Sequence, residues 1–334
     1  MTSATTHIAT DFTFSDQENR QATAILLQCE SNPYRDYASF REDISNLTET
    51  LPSRFQVYCL DAAQRDMETS PLAVMTNCPI DVHLPIFGSI DPLQDKYTMK
   101  STFVAEGFLE SYAQLTGTST LAHLTVNDGD FFHDIYPKES MYDKQSAKTL
   151  KTLKFHRDFP THFVSPDFIN TITLRDTPEN DVKSTFAYTR ETLATLSPSD
   201  IQILSEPRFH TPVDDSSGSS KKLSITSPTS HSVVIPGRCE VRIFEGRTRG
   251  LDEESQAALD VFVCALHAVK RTRISAPGDA VSFSNRHVVH GREVNAINDE
   301  ASLRHRWLMK SHTVTDLESY GAHFLEDRYG VVNG

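Results

Sequence analysis

The extended segments of this chain are short, and that limits its fold more than any other feature. Phe168–Leu174, Ser232–Ile235, Val241–Phe244, Ala280–Ser284 and Arg306–Lys310 carry the β-branched and aromatic residues that suit a pleated strand. Pro277-Gly278-Asp279 is a turn signal directly ahead of one of them. Helical reading is confined to residues 38–50, 189–205 and a longer stretch over 252–271. In the last, Asp252 can cap the start, and Leu259, Phe262, Val263, Leu266 and Val269 recur at helical spacing. Short strands, turns and a few covering helices predict a mainly β fold, a sandwich or barrel core with flanking helices.

With 334 residues the chain can form one large domain or two ordinary ones. The stretch Thr211–Ser232 (TPVDDSSGSSKKLSITSPTSHS) is polar and nearly free of large apolar side chains. The residues with chemical potential lie on both sides of it. It therefore reads as a polar surface insertion or lid within a single domain, 1–334, rather than as a linker. Lys and Arg number 32 against 45 Asp and Glu, a net charge of −13, which argues against a nucleic-acid backbone or an anionic membrane as the main partner. No apolar run approaches the ~18 residues of a membrane-spanning helix, and the first residues lack a secretory pattern. Cys29, Cys59, Cys78, Cys239 and Cys264 are odd in number and include no C-x-x-C, as in reduced thiols of a cytoplasmic protein.

Two constellations can do chemistry. In Phe155-His156-Arg157-Asp158-Phe159-Pro160-Thr161-His162, a histidine and a carboxylate two residues apart share one face of an extended segment. They can meet one metal ion if a third ligand comes from elsewhere; the same pair also occurs incidentally on surfaces. The second constellation runs from the Pro277 turn through Asn285-Arg286-His287-Val288-Val289-His290-Gly291-Arg292, delivering His290 just before a glycine. Beyond it, Arg306-Trp307-Leu308-Met309-Lys310 places a guanidinium on an alternating strand. That guanidinium needs an anion, either a dicarboxylate ligand or an internal Asp or Glu.

In this arrangement the chain resembles the iron(II)- and 2-oxoglutarate-dependent oxygenases of the clavaminate synthase-like family, in particular the branch that hydroxylates free amino acids. The similar segments are Phe132-His133-Asp134-Ile135-Tyr136-Pro137, His156-x-Asp158 with His162 and Pro166, Ser205-Glu206-Pro207-Arg208-Phe209, Asn285 to Arg292, and Arg306-Trp307-Leu308. They cover roughly residues 130–310 in the family's order.

The resemblance implies a double-stranded β-helix, or jelly roll. It implies iron(II) held by His156, Asp158 and His290, with 2-oxoglutarate and O2 as cosubstrates. Arg306 would pair with the far carboxylate of 2-oxoglutarate, beside a threonine best matched by Thr185, with Ser184 the neighbouring alternative. Ser146 falls where the branch has a serine touching substrate, or else faces solvent. Lys310 stands where relatives carry an arginine on the substrate α-carboxylate; it keeps the charge but loses the fork. Asp158 replaces the branch's usual glutamate, and its presence implies hydroxylation rather than halogenation, because halogenating relatives have a small residue there. The expected substrate is a free L-amino acid, lysine, arginine or ornithine ahead of asparagine. Its distal cation would meet Glu245, which can equally be a solvent-facing carboxylate, or Asp214 and Asp215 of the polar stretch. A desaturase or cyclase on a natural-product intermediate is the enzymatic alternative. A noncatalytic metal-binding jelly roll is the alternative of another class.

Overall fold

The structure is a computed structural model that describes residues 6–160, 162–212 and 230–333. Two sheets face each other. The smaller has the strand order Thr6–His7, Arg271–Arg273, Asp181–Tyr188, Val288–Ala296, Leu153–His156. The larger runs Phe324–Leu325, Arg328–Val332, Ser119–His123, Trp307–Val314, Phe168–Arg175, Ala280–Ser284, Leu72–Thr76, Phe12–Thr13, and Phe132–Ile135 also pairs with Trp307–Val314. The central pairings of both sheets are antiparallel. This is the jelly-roll core expected from the sequence.

Alternation along the strands assigns each side chain to one of two environments. Inward-facing Val74, Ile169, Phe186, Val281, Phe283 and Val288 fill the space between the sheets, with the Phe186 and Phe283 rings edge-on at 5.5 Å. The other face of the smaller sheet, Phe155, Ala187 and Val289, is covered by Leu259, Phe262 and Leu266 of the helix Glu253–Ala268. That helix starts where the sequence predicts, in a capping box between Asp252 and Ser255. The larger sheet is backed by the N-terminal helices Asp16–Leu26, Tyr37–Thr48, Ser53–Ala63 and Val104–Leu115, whose Leu26, Phe40, Phe55 and Phe108 join Ile172, Trp307 and Met309 in one cluster.

Two expectations need correction. Residues 189–205 form two helices, Thr189–Ala194 and Pro198–Leu204. Pro198 has no N–H to continue the first, and the Ser197 hydroxyl accepts the Asp200 N–H to start the second. The stretches 232–235 and 241–244 form isolated bridges, Val234 to Val241 and Phe244 to His156, rather than strands. Of the polar stretch 211–232, residues 213–229, including Asp214 and Asp215, lie outside the described residues.

Candidate metal and cosubstrate site

The strand Leu153–His156 ends at the middle of Val288–Ala296, and the register sets His156 directly opposite His290. Asp158, two residues on, turns back toward both. His156 Nε2 is 3.3 Å and His290 Nε2 3.8 Å from Asp158 Oδ1, and one ligand atom from each residue lies within 4.8 Å of the others. Two imidazoles and a carboxylate on one side of a cavity are the donor set of a facial triad, which leaves positions open on the metal. His156 Nδ1 donates to the Lys154 carbonyl at 2.9 Å, so Nε2 is the nitrogen free to ligate. Burial, reinforced by His156, pushes the His290 imidazole well below its usual pKa, which keeps it neutral and available.

Asp158 is held from three directions. Asn285 Oδ1 accepts the Asp158 N–H and its Nδ2 donates to the Asp158 carbonyl, both at 3.0 Å. Lys310 Nζ lies 2.7 Å from Oδ2, and His312 Nε2 lies 3.4 Å from the same oxygen. Burial alone would raise the Asp158 carboxyl, but Lys310, with the imidazoles of His156 and His312 beside it, holds it well below the usual carboxylate range. Immediately after it the chain bends at Phe159, in the left-handed region at φ 51°, with the Phe159 ring stacked 3.8 Å from His123. Non-glycine residues pay for this conformation only where their surroundings impose it.

Gly291 explains how the histidine pair approaches so closely. A Cβ there would sit 2.7 Å from the Leu153 carbonyl and 3.0 Å from Thr185 Oγ1. The same contact settles a register question. Thr185 pairs with Gly291 and Ser184 with Arg292, so Thr185 is on the face opposite His290 and Ser184 is on the same face. A cavity of about 160 Å³ contains Arg306, Ser184 and Thr173 among its lining, and not Thr185. Ser184 therefore shares a cavity with Arg306, and Thr185, the expected neighbour, does not. The Arg306 side chain is buried and has no hydrogen-bond or ion-pair partner among the described residues. Burial and the nearby Arg292 push its pKa well below the usual guanidinium value. A buried cation of this kind lacks the anion that would complete it.

The triad opens into a second cavity of about 300 Å³, lined by Ser146, Lys148, His156, Asp158, Lys310 and His312, with Thr211 and Pro212 on its wall. Ser146 thus faces the cavity rather than bulk solvent. Lys310 also faces it, but its ammonium is committed to Asp158. Glu245 does not face it. Its Oε2 accepts the Phe155 N–H at 3.2 Å and its Oε1 is 3.2 Å from His267 Nε2, and it lines a different cavity beside the helix Glu253–Ala268. Phe244 and Glu245 are adjacent and point to opposite sides, and it is Phe244 that stacks on His156, at 5.1 Å.

Sequence reasoning missed Asn285, Arg292 and His312. Arg292 donates to the carbonyls of Ala147, Thr149 and Lys151 at 3.1, 2.6 and 3.2 Å, tying the loop that carries Ser146 to the His290 strand. His312 had one available signal, its even spacing from Arg306 and Lys310 on one strand face.

No family model matches the chain. An L-lysine 3-hydroxylase from Catenulispora acidiphila is 25% identical over 202 residues, 59% of this chain and 55% of that protein, so the match spans about half of the relative's length. An enduracididine beta-hydroxylase from Streptomyces hygroscopicus is 25% identical over 276 residues, 76% of this chain and 79% of the relative. Among solved structures, an asparagine oxygenase in complex with Fe(II), 3-hydroxyasparagine and succinate superposes with a TM-score of 0.83 at 23% identity, covering 96% of this chain and 98% of the other. The non-heme iron oxygenase OrfP with Fe, succinate and (3S)-hydroxy-L-Arg gives 0.78 at 20% identity, covering 96% and 99%.

Proposed function

We propose that this chain is an iron(II)- and 2-oxoglutarate-dependent oxygenase that hydroxylates an unactivated carbon of a free L-amino acid; the two amino-acid hydroxylases at 25% identity and the fold shared with the asparagine oxygenase support the reading. The observation that carries the reading is the convergence of His156, Asp158 and His290 within 4.8 Å. The buried Arg306, without a partner among the described residues, supports it. His156 Nε2, Asp158 Oδ1 and His290 Nε2 would hold iron(II). Arg306, with Ser184 in the same cavity, would receive the far carboxylate of 2-oxoglutarate, because a planar fork matches a carboxylate. Bound iron(II) and 2-oxoglutarate would supply, with O2, the oxidant for a C–H bond, with succinate and CO2 as accompanying products.

The protein's own part is positioning. Lys310 keeps Asp158 Oδ2 engaged, so one carboxylate oxygen faces the histidines. His156 is fixed in its tautomer by Lys154, and the two sheets wall the reacting carbon off from water. We read residues 1–334 as one domain in which the strands before and after the polar stretch share a sheet. The five unpaired cysteines support a reducing, cytoplasmic setting, and no helix among the described residues is long and apolar enough to cross a membrane. A basic substrate loses its main support with Glu245 outside the cavity.

The test is incubation of the purified protein with iron(II), 2-oxoglutarate and single L-amino acids, following succinate and product mass. A product heavier by one oxygen supports hydroxylation, and one lighter by two hydrogens assigns desaturation instead. Absence of amino-acid-stimulated succinate with every amino acid overturns the reading.

A further inference from the structure

Resting on that amino-acid hydroxylase reading, we propose that the substrate carries an anionic side chain and that Lys148 receives it. The described wall of the 300 Å³ cavity bears the cations Lys138, Lys148, Arg157 and Lys310 and the carboxylates Asp134 and Asp158. In a chain with a net charge of −13 this is a local reversal of sign. Neither carboxylate is open to a substrate cation. Asp134 Oδ2 is 2.8 Å from Lys96 Nζ and its Oδ1 accepts the Trp307 indole N–H at 2.9 Å. Asp158 belongs to the triad and to Lys310.

The cations differ in the same way. Arg157 donates to the Val241 carbonyl and to Ser165 Oγ, each at 3.3 Å, and Lys310 is spent on Asp158. Lys138 reaches the exposed Asp91 only at 3.5 Å. Among the described residues Lys148 has one hydrogen-bond partner, the neutral Asn127 Oδ1 at 3.1 Å. Lys148 is half-buried, and loss of water lowers its pKa from the usual lysine value against the pull of Asp134 and Asp130. Arg292 fixes the backbone on either side of this lysine, at the carbonyls of Ala147 and Thr149. A partly desolvated ammonium whose one described hydrogen-bond partner is neutral is completed by an anion.

A lysine or arginine substrate would add a further cation here with no described carboxylate to meet it, an arrangement that costs several kcal/mol. An acidic amino acid brings two carboxylates, one for Lys148 and one for Lys138. The chemistry therefore favours an aspartate- or glutamate-like substrate over a basic one.

The experiment compares L-aspartate, L-glutamate, L-asparagine, L-glutamine, L-lysine, L-arginine and L-ornithine with the wild-type protein, iron(II) and 2-oxoglutarate. The readouts are kcat/KM for product and calorimetric binding under nitrogen. The expected result is an acidic amino acid ahead of its amide by tenfold or more. Lys148→Met should erase that preference and Lys148→Arg restore most of it. Preference for lysine, arginine or ornithine, or equal handling of acid and amide, overturns the proposal while leaving the hydroxylase reading intact. If no amino acid is turned over, the parent reading fails by itself, and the binding arm still decides the charge preference.

Discussion

Asp158 divides its two oxygens between different tasks, and that division decides what Lys310 does. Oδ1 faces the histidines and Oδ2 meets Lys310 at 2.7 Å. Lys310 faces the cavity, as a strand face shared with residues 306 and 308 allows, but its ammonium meets Asp158, whereas the resemblance implies a substrate carboxylate as its partner. Lys310→Met should therefore weaken cobalt(II) or iron(II) binding in the absence of any amino acid, by about tenfold to a hundredfold in calorimetric titration, since a lost outer hydrogen bond typically costs that much. Unchanged metal affinity would return Lys310 to substrate recognition. His290→Ala should abolish stoichiometric metal binding. Arg306→Ala should raise the 2-oxoglutarate requirement by about a hundredfold, as loss of a charge-assisted pair of about 3 kcal/mol implies. Glu245→Gln should leave the amino-acid requirement within about twofold of wild type, because its carboxylate serves the Phe155 N–H and His267 outside the cavity.

At the scale of elements, the pairing of Leu153–His156 with Val288–Ala296 depends on the missing side chain at Gly291. Gly291→Ala would drive a methyl into the Leu153 carbonyl 2.7 Å away. Backbone cannot yield as a flexible side chain can, so the strands must separate, at about 1–3 kcal/mol. Because His290 is the preceding residue, the same shift should loosen the histidine pair. A melting temperature lower by several degrees together with weaker metal binding is the expected outcome. A drop in stability with full metal affinity would show that the triad tolerates the displacement. The start of the helix Val104–Leu115 is a second sensitive place. Asp81 accepts the N–H groups of Val104 and Ala105 and the buried Lys100 bridges Asp81 and Glu106 at 3.0 and 2.8 Å. Lys100→Met would strand two buried carboxylates, a loss of about 3–5 kcal/mol in denaturant unfolding.

Across the whole molecule, the sheet interior holds histidines that fold neutral. Burial, with His312 nearby, pushes His123 and His133 well below their usual pKa, and burial with Lys310 pushes His312 down to about 4. Unfolded, each titrates near 6.5. The unfolded chain thus binds more protons than the folded one as pH falls below that value, and stability present above about pH 6.5 drains away toward pH 4. For His312 alone, the change from 6.5 to about 4 is on the order of 3 kcal/mol. Metal-free protein should therefore melt at clearly lower temperature at pH 5 than at pH 7.5. A flat profile across that range would mean the histidines are protonated in the folded state.

The sequence by itself determined the parts of this protein that depend on period and order. β-Branched and aromatic residues placed strands at 168–174 and 280–284, Asp252 marked a helix start, and the family resemblance named His156, Asp158 and His290, whose ligand atoms the fold brings within 4.8 Å. The strand and helix signals are local patterns, so they survive without knowledge of neighbours. Tertiary structure decided what depends on register and on which groups compete for one charge. A slip of one residue exchanges Ser184 for Thr185, because successive side chains face opposite sides of a sheet. Whether Lys310 or Lys148 remains open for an anion depends on Asp158 and Asn127, which are near them only in space. Glu245 followed the same rule in reverse: its chemistry was legible, but the side of the chain it occupies is set by the pairing of Phe244 with His156 and by the Phe155 N–H it accepts.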